Sequence, residues 1–278
     1  MKDKICIVTG SNSGIGKETA LALSNLGAMV VMVMRNKERG EKAQKEIINT
    51  TENHNIDLMI CDLSSMDSVR RFSKEFISKY DKLNVLINNA GAVFRKRQTT
   101  VDGFERTLAV NYLGHFLLTY ELLPLLKSSA PSRIINLSSG LHKQGKIHFD
   151  DFQSEKNYNG MAVYSNVKLM VIMYSYELAR RLEGTGVTVN VALPGFVATN
   201  LGRGSILYRL QYLIVRPIQI SAKKGAETSV YLASSDEVEG VTGKYFTKMR
   251  ETATSPASYD QQTQKQLWDK TIELLGLE

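Results

Sequence analysis

Thr9-Gly10-Ser11-Asn12-Ser13-Gly14-Ile15-Gly16 follows the apolar run Ile5 to Thr9 and leads into a segment of helical period from Gly14 to Leu26. Glycines at a strand-to-helix junction let the backbone turn tightly and bring its N–H groups up to an anion at the helix N-terminus. The spacing is G-x-x-x-G-x-G. Placed after a strand and before a helix, it predicts a seat for the pyrophosphate of a dinucleotide rather than a merely structural turn.

Outward from this turn, short β-rich apolar runs alternate with longer stretches of helical spacing. Gly27 closes the first helix, Met29 to Met34 reads as the second strand, and Lys37 to Ile48 as a helix. Ile56 to Cys61 is the third strand, Met66 to Lys79 a helix, and Leu83 to Asn88 the fourth strand. Gly103 to Lys127 carries Phe104, Leu108, Tyr112, Phe116 and Leu122 near helical spacing, and Arg133 to Ser138 is the fifth strand. Ala162 to Leu182 reads as a helix, Val187 to Leu193 as strand six, Ala222 to Leu232 as a helix and Lys244 to Thr247 as a short last strand. The tail from Gln261 reads as a packed closing helix. This order predicts an α/β, doubly wound parallel sheet of Rossmann type, a single domain over residues 1–278. Ligands are then expected at the carboxyl ends of the strands.

Composition narrows the function classes. Lys+Arg number 35 against 28 Asp+Glu, a net charge of +7, yet no run of five like charges occurs, so no nucleic-acid partner is expected. Cys6 and Cys61 sit inside strands, and His54, His115, His142 and His148 show no ligand spacing, so neither disulfide nor metal is expected. The charged opening runs straight into a strand without a signal sequence, which predicts a reducing, cytoplasmic setting.

Nineteen residues past Gly16, where an acidic residue would bind the ribose hydroxyls of NAD, stands Arg35. A guanidinium suits a 2′-phosphate, and no carboxylate is there to repel it, so NADP(H) is the expected cofactor, with Lys37 and Arg39 as helpers. The alternative is a surface arginine that merely ends the strand. Further on, Tyr164 and Lys168 are four apart on a predicted helix and project from one face. An ammonium beside a phenol favours the phenolate and is expected to lower its pKa from about 10 toward working pH. Tyr164 would then serve as acid in carbonyl reduction and as base in alcohol oxidation.

The glycine turn, Asp62-Leu63 after strand three, Asn88-Asn89-Ala90-Gly91 after strand four and Tyr164-Ser-Asn-Val-Lys168 resemble the motifs of the short-chain dehydrogenase/reductase family over nearly the whole chain. The resemblance implies that Gly10, Ser11, Asn12, Ser13, Gly14, Ile15 and Gly16 cradle the cofactor and that Asp62, beside Leu63, bonds its adenine. Asn89, Ala90 and Gly91 would border the adenosine ribose. Pro194, Gly195, Val197 and Thr199 would shape and bind the nicotinamide end. Lys168 would hold the nicotinamide ribose, Ser139 would steady the substrate oxygen, and Asn111 would hold a relay water, or else make a merely structural bond. Val167 stands where the family often has serine. The long interval from Ser139 to Tyr164, the run from Asn12, and Gly243-Lys244-Tyr245-Phe246 are similar to the retinol dehydrogenase branch.

Between residues 199 and 221, where the family places a lid, Ile206, Leu207, Leu210, Tyr212, Leu213, Ile214, Val215 and Ile218 alternate with Arg203, Arg209 and Arg216. Three readings stand equal there: a lid for an apolar substrate, a peripheral membrane contact, or a homo-oligomer interface. The expected activity is interconversion of an alcohol and an aldehyde or ketone on a small, apolar, retinoid-like molecule. The alternatives are a hydroxysteroid or acyl-chain ketone as substrate, or a non-catalytic protein that senses NADP(H).

Overall fold

A computed structural model of the chain describes residues 1–195 and 220–278. Its strands are β1 (Ile5–Thr9), β2 (Met29–Met34), β3 (Ile56–Ile60), β4 (Val85–Asn88), β5 (Ser132–Leu137), β6 (Val187–Leu193), β7 (Lys244–Thr247) and β8 (Arg250–Glu251). They form one sheet in the order β3-β2-β1-β4-β5-β6-β7-β8, parallel throughout except for the antiparallel β7–β8 pair. The long helices are α1 (Gly14–Asn25), α2 (Lys37–Thr51), α3 (Met66–Lys79), α4 (Gly114–Ser128), α5 (Gly160–Arg181), α6 (Ala222–Ser234) and α7 (Gln261–Leu275).

Because successive strand residues face opposite ways, each strand feeds two cores. Ile7, Val31, Leu86, Ile134 and Val189 pack under α3, α4, α5 and α7. Val8, Val30, Met32, Ile87 and Ile135 pack under α1, α2 and α6. Burial on both faces is why these strands read as unbroken apolar runs, each such side chain contributing about 1.5–3 kcal/mol relative to exposure. On the first face α7 lies across α4 and α5. Trp268 packs against Phe116 and Tyr174, and the Tyr112 hydroxyl bonds Thr271 at 2.8 Å.

Two stretches differ from the sequence expectation. Gly103 to Lys127 is not one helix. Residues 99–105 form a loop with a Thr99–Glu105 bridge, a single turn covers Arg106–Leu108, and a π-turn over Ala109–Leu113 leads into α4. Glu105 is the cause, since its carboxylate accepts the N–H groups of Thr107 (2.9 Å) and Leu108 (2.7 Å) and starts the helix there. Lys244–Thr247 is not the last strand either. Lys248 and Met249, with φ of 51° and 62°, turn the chain straight back into β8. That hairpin lacks the Asn-Gly signature by which such turns are recognised.

At the carboxyl edge, Asn88 of β4 and Asn136 of β5 stand opposite in register. The Asn88 amide donates to Asn136 Oδ1 (2.8 Å) and to Thr119 of α4 (3.0 Å), and the Asn136 amide donates to Ser175 of α5 (2.9 Å). This polar ladder lies directly behind the site.

Candidate active site

The glycine turn after β1 is packed against the turn after β4. The Thr9 hydroxyl accepts the N–H groups of Asn89 (2.9 Å) and Ala90 (3.0 Å), and the Asn89 amide donates to the Thr9 carbonyl at 2.7 Å. A Cβ on Gly16 would lie 2.4 Å from Asn89 Nδ2 and 2.5 Å from the Gly10 oxygen, so no side chain fits there. Gly10 and Gly14 hold φ of 67° and 57°. Ser11 turns its hydroxyl inward to the Val8 oxygen, Ile15 packs on the core, Asn12 is half-buried and Ser13 is exposed.

Ser13 precedes α1 but makes no side-chain cap, and the first turn of α1 holds no acidic residue. By contrast Asn36, Ser65, Asn159, Ser221 and Asp260 each accept first-turn amides of α2, α3, α5, α6 and α7. The start of α1 therefore keeps free N–H donors and the positive end of its dipole, and the space beside Gly14 is open. These features fit a diphosphate. Arg35 is exposed immediately past β2, with no ion pair to a carboxylate among the described residues. Asp62 keeps one carboxylate oxygen on the Ser64 N–H (2.9 Å) and hydroxyl (2.7 Å). Leu63 is buried, and its carbonyl presses on Gly114.

The second half of the site hangs from β5 and α5. Asn159 starts α5 by accepting the N–H groups of Met161 and Ala162, both at 3.1 Å. One turn in, Tyr164 and Lys168 share a face, with the Lys168 ammonium 5.5 Å from the Tyr164 ring centre. The Ser139 side chain stands beside the Tyr164 phenol, where it favours the phenolate, while Ser138 turns away to the Lys168 carbonyl at 2.9 Å. Lys168 Nζ donates to the Leu137 oxygen at 3.0 Å. Asn111 sits in the π-turn, with Nδ2 on the oxygens of Ala92 and Thr107, both at 2.8 Å, and Oδ1 on the Ala92 N–H at 3.2 Å. A Cβ on Gly91 would lie 2.9 Å from Asn111 Oδ1 and 3.8 Å from Lys168 Nζ. Asn111 and Lys168 thus meet at Gly91, with Tyr164 and Ser139 beside Lys168. Val167 faces the hydrophobic core instead.

Protonation departs from the expectation. Burial pushes the Tyr164 phenol up to about 12, opposed by the neighbouring Ser139 side chain, and pushes Lys168 down to about 8. Loss of water disfavours the charged form of each. Near neutral pH the phenol keeps its proton, the form an acid needs.

Pro194 and Gly195 follow β6, Gly195 with φ of 83° and its Cα face close to Ile220. Val197 and Thr199, and the apolar series from Ile206 to Ile218, lie outside the described residues. Thr9 as a clamp, the Asn88–Asn136 ladder and two buried histidines emerge only in the folded chain. His142 donates from Nδ1 to the Ser139 carbonyl (2.7 Å) and accepts the Ser255 N–H at Nε2 (3.3 Å), and His115 meets Thr9. The one signal for His115 was its position four residues after Asn111.

The family model for short chain dehydrogenases matches residues 4–206. Human retinol dehydrogenase 12 is 43% identical over 274 residues, covering 99% of this chain and 87% of its own. Human retinol dehydrogenase 14 is 45% identical over 294 residues, covering 100% and 88%. Among solved structures, an uncharacterised protein of Mycobacterium paratuberculosis matches with a TM-score of 0.81 and 30% identity, covering 100% of this chain and 95% of that one. A Pseudomonas aeruginosa RhlG/NADP active-site complex matches with a TM-score of 0.70 and 25% identity, covering 88% and 94%.

Proposed function

The chain belongs to the short-chain dehydrogenase/reductase family, an oxidoreductase family, and from that premise we propose an NADP(H)-dependent enzyme that interconverts an alcohol and an aldehyde or ketone on a retinoid-like, apolar substrate. The observation that carries the chemistry is Ser139 beside the Tyr164 phenol, with the Lys168 ammonium 5.5 Å from the Tyr164 ring centre and itself close to Gly91.

The nicotinamide, when bound, supplies or takes the hydride. Ser139 and Tyr164 hold the substrate oxygen between two hydroxyls and stabilise the charge that develops on it. In reduction the Tyr164 phenol gives its proton to that oxygen; in oxidation the Tyr164 phenolate oxygen takes the proton from the alcohol. Lys168, oriented by its bond to the Leu137 oxygen, carries the positive charge that favours phenolate as the proton leaves. Arg35 supports the choice of NADP(H), because a guanidinium at the end of β2 with no carboxylate partner among the described residues favours a 2′-phosphate. The identities of 43% and 45% to retinol dehydrogenases 12 and 14 support the retinoid class.

Following NADPH and NADH oxidation against all-trans-retinal, steroid ketones and acyl-chain ketones tests this reading. Retinal with NADPH is expected to turn over fastest, and Tyr164→Phe to lower that turnover about 10²- to 10⁴-fold. Turnover confined to the ketones would move the substrate class, and NADPH binding without oxidation of any carbonyl would overturn the enzymatic reading.

A further inference from the structure

His115 is buried at the start of α4, and its ring bridges two segments that hold different parts of the site. Nδ1 lies 3.4 Å from the main-chain oxygen of Asn111, and Nε2 lies 3.0 Å from the Thr9 hydroxyl. Counting donors and acceptors decides how these contacts are made. The Thr9 oxygen already accepts the N–H groups of Asn89 (2.9 Å) and Ala90 (3.0 Å), which occupies both lone pairs and leaves one proton to give. His115 Nε2 at 3.0 Å is better placed to take it than the Ile87 oxygen at 3.4 Å. The Asn111 oxygen offers only lone pairs, so Nδ1 satisfies it only as N–H. Both demands meet in one species, a neutral imidazole protonated at Nδ1.

We propose that His115 is a positioning residue, held in the Nδ1–H form, that locks the Thr9–Asn89–Ala90 wall to the turn carrying Asn111. The surroundings agree. Lys168 of α5 faces the ring, Tyr112 and Tyr174 and the amides of Asn88 and Asn136 line the same small cavity, and no carboxylate lines it among the described residues. Burial and the neighbouring ammonium hold the imidazole down to about 3, so it stays neutral throughout the working range. The segment before β2 and the segment after β4 are thereby tied to the π-turn through a single ring. The effect on cofactor binding rests on the dinucleotide reading above, whereas the tautomer does not.

Long-range imidazole ¹H–¹⁵N spectra of the full chain from pH 5.5 to 8.5, assigned with His115→Gln, test the tautomer without any cofactor. A non-titrating ring with protonated Nδ1 and bare Nε2 is expected. A ring protonated at Nε2, or one that gains a second proton near pH 6.5, overturns the proposal. The binding arm uses calorimetry with NADPH on folded variants checked by circular dichroism. His115→Leu should weaken NADPH about 5- to 15-fold, the effect of one or two lost buried hydrogen bonds. His115→Asn keeps a donor for the Asn111 oxygen but loses Thr9, so it should stay weak for NADPH yet recover turnover at saturating cofactor. Wild-type affinity and turnover in His115→Leu would overturn the role. Failure of the wild-type chain to bind NADPH would instead refute the cofactor reading and leave the tautomer result standing.

Discussion

Helices α1 and α5 both begin at the carboxyl edge of the sheet, yet α1 starts with Gly14, Ile15 and Gly16 behind a Ser13 that caps nothing, whereas α5 starts behind Asn159, whose side chain takes up two first-turn amides. The first end works through bare backbone, and its donors are held for an anion. The second end is closed, and its function lies one turn inside, in Tyr164 and Lys168, whose burial sets their protonation. One half of the site therefore depends on what is missing from the side chains, the other on what surrounds them.

The sharpest way to break this contrast is to remove one hydroxyl. Tyr164→Phe should lower turnover about 10²- to 10⁴-fold while NADPH affinity, measured by calorimetry, changes little. Gly16→Ala should do the reverse. Its Cβ would fall 2.4 Å from Asn89 Nδ2 and 2.5 Å from the Gly10 oxygen, so NADPH binding should drop about 10²-fold, in line with the cost of overpacking. Arg35→Glu should lower the NADPH-to-NADH preference in kcat/KM about 10- to 100-fold, because a charge-assisted bond is replaced by repulsion. Unchanged preference would show that this arginine only ends a strand.

The pH dependence sharpens the other half. Lys168 has its folded pKa depressed to about 8, so its ammonium is lost as pH rises through that value. kcat/KM for the dinucleotide should fall about fourfold by half a unit above it, and Lys168→Met should show no such limb. The same depression makes folding stability rise with pH between about 8 and 10.5, where the unfolded lysine still holds its proton. The smallest effect belongs to Gly14→Ala. Nothing lies within 4 Å of the added Cβ, so only the left-handed φ of 57° opposes it. A loss of about 1 kcal/mol and a melting point roughly 2–4 °C lower should result.

These differences follow the line between what a sequence displays and what packing decides. The glycine turn, the strands β1, β2, β6 and β7, and the residues that converge at Gly91 were legible because glycine spacing, apolar runs and i, i+4 pairs are local signals. Strand β8 was not, since Lys248-Met249 carries no turn signature. The π-turn at Ala109–Leu113 was not, because periodicity over a long window averages out a single widened turn. The protonation of Tyr164 was misjudged for a different reason. Its neighbour Lys168 is visible in the sequence, but the loss of solvent that raises the phenol exists only in the folded chain.

The amide ladder behind the site constrains more than the site. Asn88 and Asn136 lie among the unbroken apolar runs of β4 and β5, which on their own would tolerate several alignments of the two strands. Sliding β5 by one residue would set Ile135 or Leu137 opposite Asn88 and strand two buried amides. The pair acts as a registration mark, through which the strand ends bearing Asn89 and Ser139 are brought level each time the chain folds.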